Sequence, residues 1–386
     1  MCKFYKCYVC NSTYIYIFAL DKERAVCYTL FMSDYFKQRD EKNLEKIDRL
    51  LAEMPEFVGQ FIVGISSQTS VLTRLNYVTD IGIFFSYLIK YKYPGKTMAE
   101  LSANDIECLA PHDIERYIDG LSSYVLGGKR LSCGEKAKER KLSSLRSLYK
   151  YLYKKEIISS NVTLKVDMPK LHDKPIIRLE PDEVGRLIDT VACGDMLTER
   201  EKSYNSVTKE RDMAIMYVFL GTGIRVSELV GLNRNDIDFE NSSFVVTRKG
   251  GNRSILYMPV ETLDALRTYV DWLDEQIANN TEFAAKIKDP DALFYSLQGT
   301  RIGVRTVEKL VKKYASPAAP LKKITPHKLR STYATNLYRE TEDIYVVADV
   351  LGHSDVNTTK KHYAQMSEEH KKHAAEVTRI ADRDGN

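Results

Sequence analysis

The chain has one tryptophan and seven histidines among its 386 residues. No apolar run approaches the ~18 residues of a membrane-spanning helix, so the sequence gives no reason to expect a membrane partner. Net charge is only +4, which says little about partners. Cysteine is sparse and odd in number, at seven. Four fall early (Cys2, Cys7, Cys10 and Cys27), and Cys108, Cys133 and Cys193 are scattered. That is no disulfide framework, and a cytoplasmic location is expected. Cys7-x-x-Cys10 lacks a second pair to complete a zinc site, so no metal is expected, and no cofactor. Internal repeats and low-complexity tracts are absent.

What is present reads as a soluble globular protein of two domains, with 44% hydrophobic and 28% charged residues. Residues 1–31 are atypical, rich in cysteine and tyrosine, with an apolar stretch at Tyr14–Leu20 too short for a signal-peptide core. They are expected to be a poorly ordered extension. Residues 32–56 hold a charged N-terminal helix, centred on 34–53. From 57 to 165 the pattern is helical with few strand signals, a bundle of four or five helices. Ser70–Lys90 spaces Leu72, Leu75, Val78, Ile81, Phe85 and Leu88 by three and four. A helix from Pro111 presents Tyr117, Ile118 and Leu121, and one over Glu135–Tyr153 presents Leu142, Leu145, Leu148, Tyr149 and Leu152.

That last helix is basic. Between Lys129 and Lys155 ten lysines and arginines face two acids, Glu135 and Glu139. Such a stretch can follow a phosphate backbone, though a solvated helix face reads the same in composition. The expected DNA contacts here are Lys136, Lys138, Arg140, Lys141 and Arg146.

Residues 166–180, with Pro169 and Pro175, read as a linker, and 181–386 as the second domain. Pro181 opens a helix. Residues 194–210 are polar and read as a loop or insertion. Arg211–Leu220 is an apolar helix broken at Thr222-Gly223. Phe244–Thr247 and Ser254–Met258 read as strands joined by the tip Arg248-Lys249-Gly250-Gly251-Asn252-Arg253. Helices follow over Thr262–Ala278, Thr306–Tyr314, His327–Arg339 and Asp343–Leu351.

Along this half lie Gly221-Thr-Gly-Ile-Arg225-Val-Ser-Glu228-Leu, Lys249 on the turn, His327-Lys-Leu-Arg330, Leu351-Gly-His353, and Tyr363 ten residues later. Two arginines, two histidines, a lysine and a phenol suit attack of a tyrosine on a phosphodiester. Arginine can grip two phosphate oxygens at once, where lysine cannot. His327 and Arg330 are three apart on one helix, so both can face one phosphate. A histidine near its ordinary pKa can accept the tyrosine proton. Gly352 is a plausible left-handed cap ending the helix before His353.

These six positions, in this order, resemble the tyrosine recombinase (phage integrase) family, most of all the Xer-type recombinases of Gram-positive bacteria. The stretches VTRKGGNR and TPHKLRSTYAT carry that likeness, which covers roughly Phe57 to His370. The resemblance implies a mainly α fold with a small β-sheet, in a two-domain DNA clamp: a helical, SAM-like core-binding domain and an α+β catalytic domain with a C-terminal helix. It implies a catalytic set of Arg225, Lys249, His327, Arg330, His353 and the nucleophile Tyr363, with Glu228 supporting. Lys249 would protonate the leaving 5′ oxygen, and His353 rather than His362 would bond a nonbridging oxygen. Arg248 and Arg253 would touch backbone phosphates. Many relatives carry histidine where this chain has Ser331. The implied partners are double-stranded DNA with paired inverted half-sites and a homo-tetramer on DNA, alone or with a second recombinase. The tail after Tyr363 would dock on a neighbouring protomer.

The implied function is site-specific recombination through a 3′-phosphotyrosyl link and a Holliday junction, serving chromosome dimer resolution or mobile-element integration and excision. A type IB topoisomerase-like enzyme shares the tyrosine chemistry, and a non-catalytic DNA-binding protein is the third reading. The helical module before the catalytic half and the short tail after Tyr363 favour recombination.

Overall fold

The structure is a computed structural model that describes residues 9–10, 13–14, 34–171, 176–248 and 251–352. The chain divides into two compact units, Met1–Lys174 and Pro175–Asn386. No described helix is long and apolar enough to cross a membrane.

In the first unit, β1 (Val9–Cys10) pairs antiparallel with β2 (Thr13–Tyr14). These four residues are the described part of the N-terminal extension. The expectation that residues 1–31 lack order otherwise falls outside the described residues. The helices α1 (Asp34–Leu51), α2 (Glu56–Gly64), α3 (Val71–Tyr91), the short α4 (Ala103–Glu107) and α5 (Pro111–Gly120) follow. Then come β3 (Tyr124–Leu126), β4 (Lys129–Leu131) and α6 (Glu135–Lys154). Ser70 caps α3 by accepting from the Thr73 amide, and Pro111 occupies the first turn of α5, where its missing N–H costs nothing. The stripe of α6 is fully buried at Leu142, Leu145, Leu148, Tyr149 and Leu152. On α3, Val78, Ile81, Phe85 and Leu88 are buried, whereas Leu72 is exposed in the first turn. α1 packs along α3, and Ile47 joins the same core as Phe61, Ile81 and Leu145. The N-terminal helix is thus part of this unit's core.

The β3–β4 hairpin adds two short strands to a stretch, 57–165, expected to be helical with few strand signals. Leu126 faces Lys129, and the two loop residues Gly127 and Gly128 have φ of 55° and 74°. A two-residue loop with both φ positive matches the right-handed twist of its strands, and only a pair such as Gly-Gly adopts it cheaply.

The second unit begins with α7 (Pro181–Cys193) and α8 (Glu199–Thr222). It continues through α9 (Val226–Val230), β5 (Ile237–Asp238), β6 (Ser243–Thr247), β7 (Arg253–Tyr257), α10 (Val260–Asn279) and α11 (Thr281–Lys286). α12 (Val304–Ala318), α13 (Pro326–Thr341) and α14 (Ile344–Leu351) complete it. The sheet is antiparallel in the order β5-β6-β7. α8 is the central helix, packed by α7, α10 and α13, with Ile215, Val218 and Phe219 fully buried.

The polar stretch read as a loop at 194–210 is largely helix. Thr198 and Glu201 form a reciprocal capping box that starts α8. From its start to Asp212 it buries polar rather than apolar groups: Asn205, Thr208, Arg211 and Asp212. Tyr314 of α12 donates to Asp212 at 2.7 Å, and Arg211 donates to Asp212 and to the carbonyl of Tyr295. Burial through hydrogen bonds leaves no apolar stripe for periodicity to detect.

Candidate phosphodiester site

The site is assembled at the carboxyl end of α14. α8 ends at Gly223, whose φ of 61° is the left-handed cap conformation, and a Cβ there would strike the Tyr333 ring at 2.3 Å. The sharp turn after it places Arg225 at the N-cap of α9. The Arg225 amide donates to Glu228 Oε2 at 3.0 Å, and its Nη1 donates to Glu228 Oε1 at 2.8 Å. Glu228 is buried, while Arg225 keeps 35% of its side chain exposed. The carboxylate therefore fixes both the backbone and the fork of one arginine.

Arg330 reaches the same point from α13, and it is buried. Its Nη1 donates to the Gly223 carbonyl at 2.6 Å and its Nη2 to the Leu351 carbonyl. Arg225 Nη2 donates to the Gly352 carbonyl at 3.2 Å. The last carbonyls of a helix lack intrahelical partners and carry partial negative charge, so they attract cations. Gly352, with φ of 60°, is the left-handed cap of α14. The next residue is His353.

Arg225, Glu228 and Arg330 are thus brought together. His327 lies one turn before Arg330 on α13, exposed, and its carbonyl accepts from Ser331 Oγ. Lys249 lies outside the described residues, as do His353 and Tyr363. The turn that contains Lys249 is closed on its flanks, where the Arg248 amide donates to the Asn252 carbonyl at 2.7 Å and the Gly251 amide to the Arg248 carbonyl at 3.1 Å. The predicted helix after Tyr363 also falls outside the described residues.

Arg248, expected to touch backbone phosphates, turns inward. Its Nη2 donates to the Val350 carbonyl at 3.0 Å. Burial pushes its guanidinium below the ordinary arginine range, and the Arg225 charge acts in the same direction against Glu228 and Asp349. Arg253 lies 3.5 Å from Asp236 and is one-third exposed.

On the basic helix α6 the residues expected to contact DNA differ in exposure and partners. Asp80 of α3 has no exposure, and a buried carboxylate requires compensation. Lys141 Nζ at 2.8 Å, Arg140 Nη1 at 2.6 Å and Ser144 Oγ at 3.0 Å supply it. Lys141 is buried and its ammonium is spent on Asp80 within the core. Arg140 is half-exposed but shares the same carboxylate. Arg146 donates to the Val166 carbonyl at 2.5 Å, and Lys138 lies 3.6 Å from Glu135 with little exposure. Lys136 is exposed. Lys150 and Lys154, absent from the expected contacts, are exposed too and lie within about 40° of Lys136 around the helix at 100° per residue. The signal for them was in the sequence, as their spacing of 14 and 18 from Lys136 keeps one face.

Residues 178–370 match the phage integrase family. The chain is 33% identical over 292 residues to tyrosine recombinase XerC of Caldanaerobacter subterraneus subsp. tengcongensis, spanning 74% of this chain and 75% of that protein. It is 29% identical over 355 residues to tyrosine recombinase XerS of Streptococcus thermophilus, spanning 85% and 97%. Among solved structures it is similar in fold to the XerH site-specific recombinase bound to palindromic difH substrate in a post-cleavage complex. That match has a TM-score of 0.58 and 18% identity, and covers 79% of this chain and 80% of that one.

Proposed function

The chain belongs to the phage integrase family and is a tyrosine-type site-specific recombinase, and we propose that Tyr363 attacks a DNA phosphodiester held by Arg225 and Arg330. DNA is its partner. The observation that carries the proposal is the convergence of these two guanidiniums, one locked by Glu228 and the other buried, on the carbonyl end of α14, from which the chain leaves as His353. Two fixed cations at one point are what a dianionic, pentacoordinate transition state needs, and preorganised charge acts without reorganisation during reaction.

The steps follow from this set. Tyr363 Oη attacks the phosphorus while His327 accepts its proton. Arg225, Arg330 and His353 hold the nonbridging oxygens. The bond to the 5′ oxygen breaks, Lys249 supplies its proton, and a 3′-phosphotyrosyl link remains. The bond energy is retained in that link. A 5′ hydroxyl from a second duplex can then attack it, which exchanges strands without an external energy source. All charge neutralisation comes from side chains, so the cycle needs no added metal.

The helical unit binds the outer duplex through Lys136, Lys150 and Lys154 of α6, with Arg253 contacting backbone phosphates near the hairpin. Two chains occupy inverted half-sites and four assemble on two sites, alone or with a second recombinase. The work is cytoplasmic, and similarity to proteins named XerC and XerS favours chromosome dimer resolution over mobile-element integration and excision. The test is a plasmid carrying two copies of a site selected by the protein from random-sequence DNA. Recombination predicts two smaller circles and a transient four-way junction. Relaxation of supercoils without those products would favour a topoisomerase, and binding without either would favour a non-catalytic protein.

A further inference from the structure

Arg248 is the first residue after β6 and the residue before Lys249. Its Nη2 is used by the Val350 carbonyl, but Nε and Nη1 are buried with no hydrogen-bond partner among the described residues. A Cβ on Gly352 would lie 1.5 Å from Nη1, so glycine at 352 is what lets this guanidinium occupy its place. Arg225 donates to Gly352 and Arg330 to Leu351, so three guanidiniums close on the consecutive carbonyls of residues 350, 351 and 352. Glu228 is ion-paired with Arg225, and the Glu228 and Asp349 charges both act on Arg248.

Such an arrangement is costly without an anion. A buried donor left without a partner forfeits its hydration with nothing in return, and more so when it is charged. Like charges at close range repel, and little water reaches Nε and Nη1 to screen them. Carbonyl dipoles at a helix end offset only part of this. An oxyanion beside the three forks would supply both the missing charge and the missing acceptors. Arginine rather than lysine suits the role, because it can bond Val350 and an anion at once through different edges of one plane.

We propose that Arg248 is a third arginine of the phosphodiester site and donates to a nonbridging oxygen of the phosphate that Tyr363 attacks. The proposal rests on the recombinase reading above.

The test compares cleavage of two nicked suicide duplexes, both carrying the selected site. One has the natural phosphodiester at the cleavage position, and the other has a single neutral methylphosphonate there. Wild-type cleavage of the natural duplex tests the recombinase reading, and its failure would remove that reading itself. Given wild-type cleavage, Arg248→Gln at saturating protein should cleave the bound natural duplex about 100-fold more slowly, with the deficit falling below about 3-fold on the methylphosphonate. The neutral group removes the charge that Arg248 neutralises, whereas a purely structural defect slows both substrates alike. Wild-type rates in Arg248→Gln, or an equal deficit on both duplexes, overturn the proposal. If Arg248→Gln melts below the assay temperature, Arg248→Lys decides by the same comparison. It should show a smaller deficit on the natural duplex, again relieved by the methylphosphonate, and an equal deficit or none overturns the proposal.

Discussion

Replacing Arg225 by alanine separates what this arginine does for the fold from what it does for the reaction. Its guanidinium is the charged partner of Glu228, which is 4% exposed. Removing one partner of a fully buried ion pair costs about 3–5 kcal/mol. Arg225 is itself about one-third exposed, and Glu228 keeps the Arg225 backbone amide as a donor, so the cost here should be about 1–3 kcal/mol. The loss in the reaction is larger. A preorganised transition-state charge is worth about 3–4 kcal/mol, or roughly 10²–10³ in the cleavage rate. The two effects part in Arg225→Ala/Glu228→Gln. The neutral amide no longer needs a cation, so thermal unfolding should return most of the way to wild type. Cleavage of a nicked suicide duplex, followed on denaturing gels, should stay as slow as in Arg225→Ala. Recovery of cleavage in the double variant would show that Arg225 acts only by satisfying Glu228, and the phosphate-clamp argument would fail.

Asp80→Ala leaves Lys141 buried without its carboxylate and should destabilise the helical unit by about 3–5 kcal/mol in urea unfolding, with Asp80→Ala/Lys141→Met recovering much of it; a loss under about 1 kcal/mol would refute the buried-pair account. Changing Lys136, Lys150 and Lys154 together to glutamate should weaken DNA binding and flatten its salt dependence by about 0.9 log unit of slope for each phosphate no longer neutralised, and an unchanged slope would return α6 to a solvated face. Excess EDTA should leave cleavage unaltered, because side chains carry the charge; strong inhibition would contradict the mechanism.

The mainly helical fold was legible in the sequence because it rests on apolar spacing, and the family and recombinase function because six motif positions resemble those of a known family. The apolar stripe of α6 repeats by three and four, and all five of its residues are buried. The arginines were legible as residue types in motifs, but their meeting point was not. That Arg225, Arg248 and Arg330 share the carbonyl end of α14 depends on packing among α8, α13, α14 and the hairpin, which no local pattern encodes. Basic density was a poor guide to exposure. Lys141 and Arg140 are drawn to Asp80, about sixty residues away in sequence, and nothing in the run of lysines marks which of them serve the core. The first half of α8 was missed because its buried face is polar, though Thr198 and Glu201 marked its start. The β3–β4 hairpin was missed because its strands have three residues each, with Gly127-Gly128 as the one strong signal.

The central claim is that Tyr363 becomes covalently joined to a 3′ phosphate. The most direct measurement traps the protein on a nicked suicide duplex labelled on the cleaved strand, resolves it on a denaturing gel, and maps the modified peptide by mass spectrometry. The account predicts an adduct in the wild type, carried on Tyr363 through a 3′ phosphate, and none in Tyr363→Phe, which should still bind the duplex. An adduct that persists in Tyr363→Phe, or that maps to another residue or to a 5′ phosphate, would contradict it.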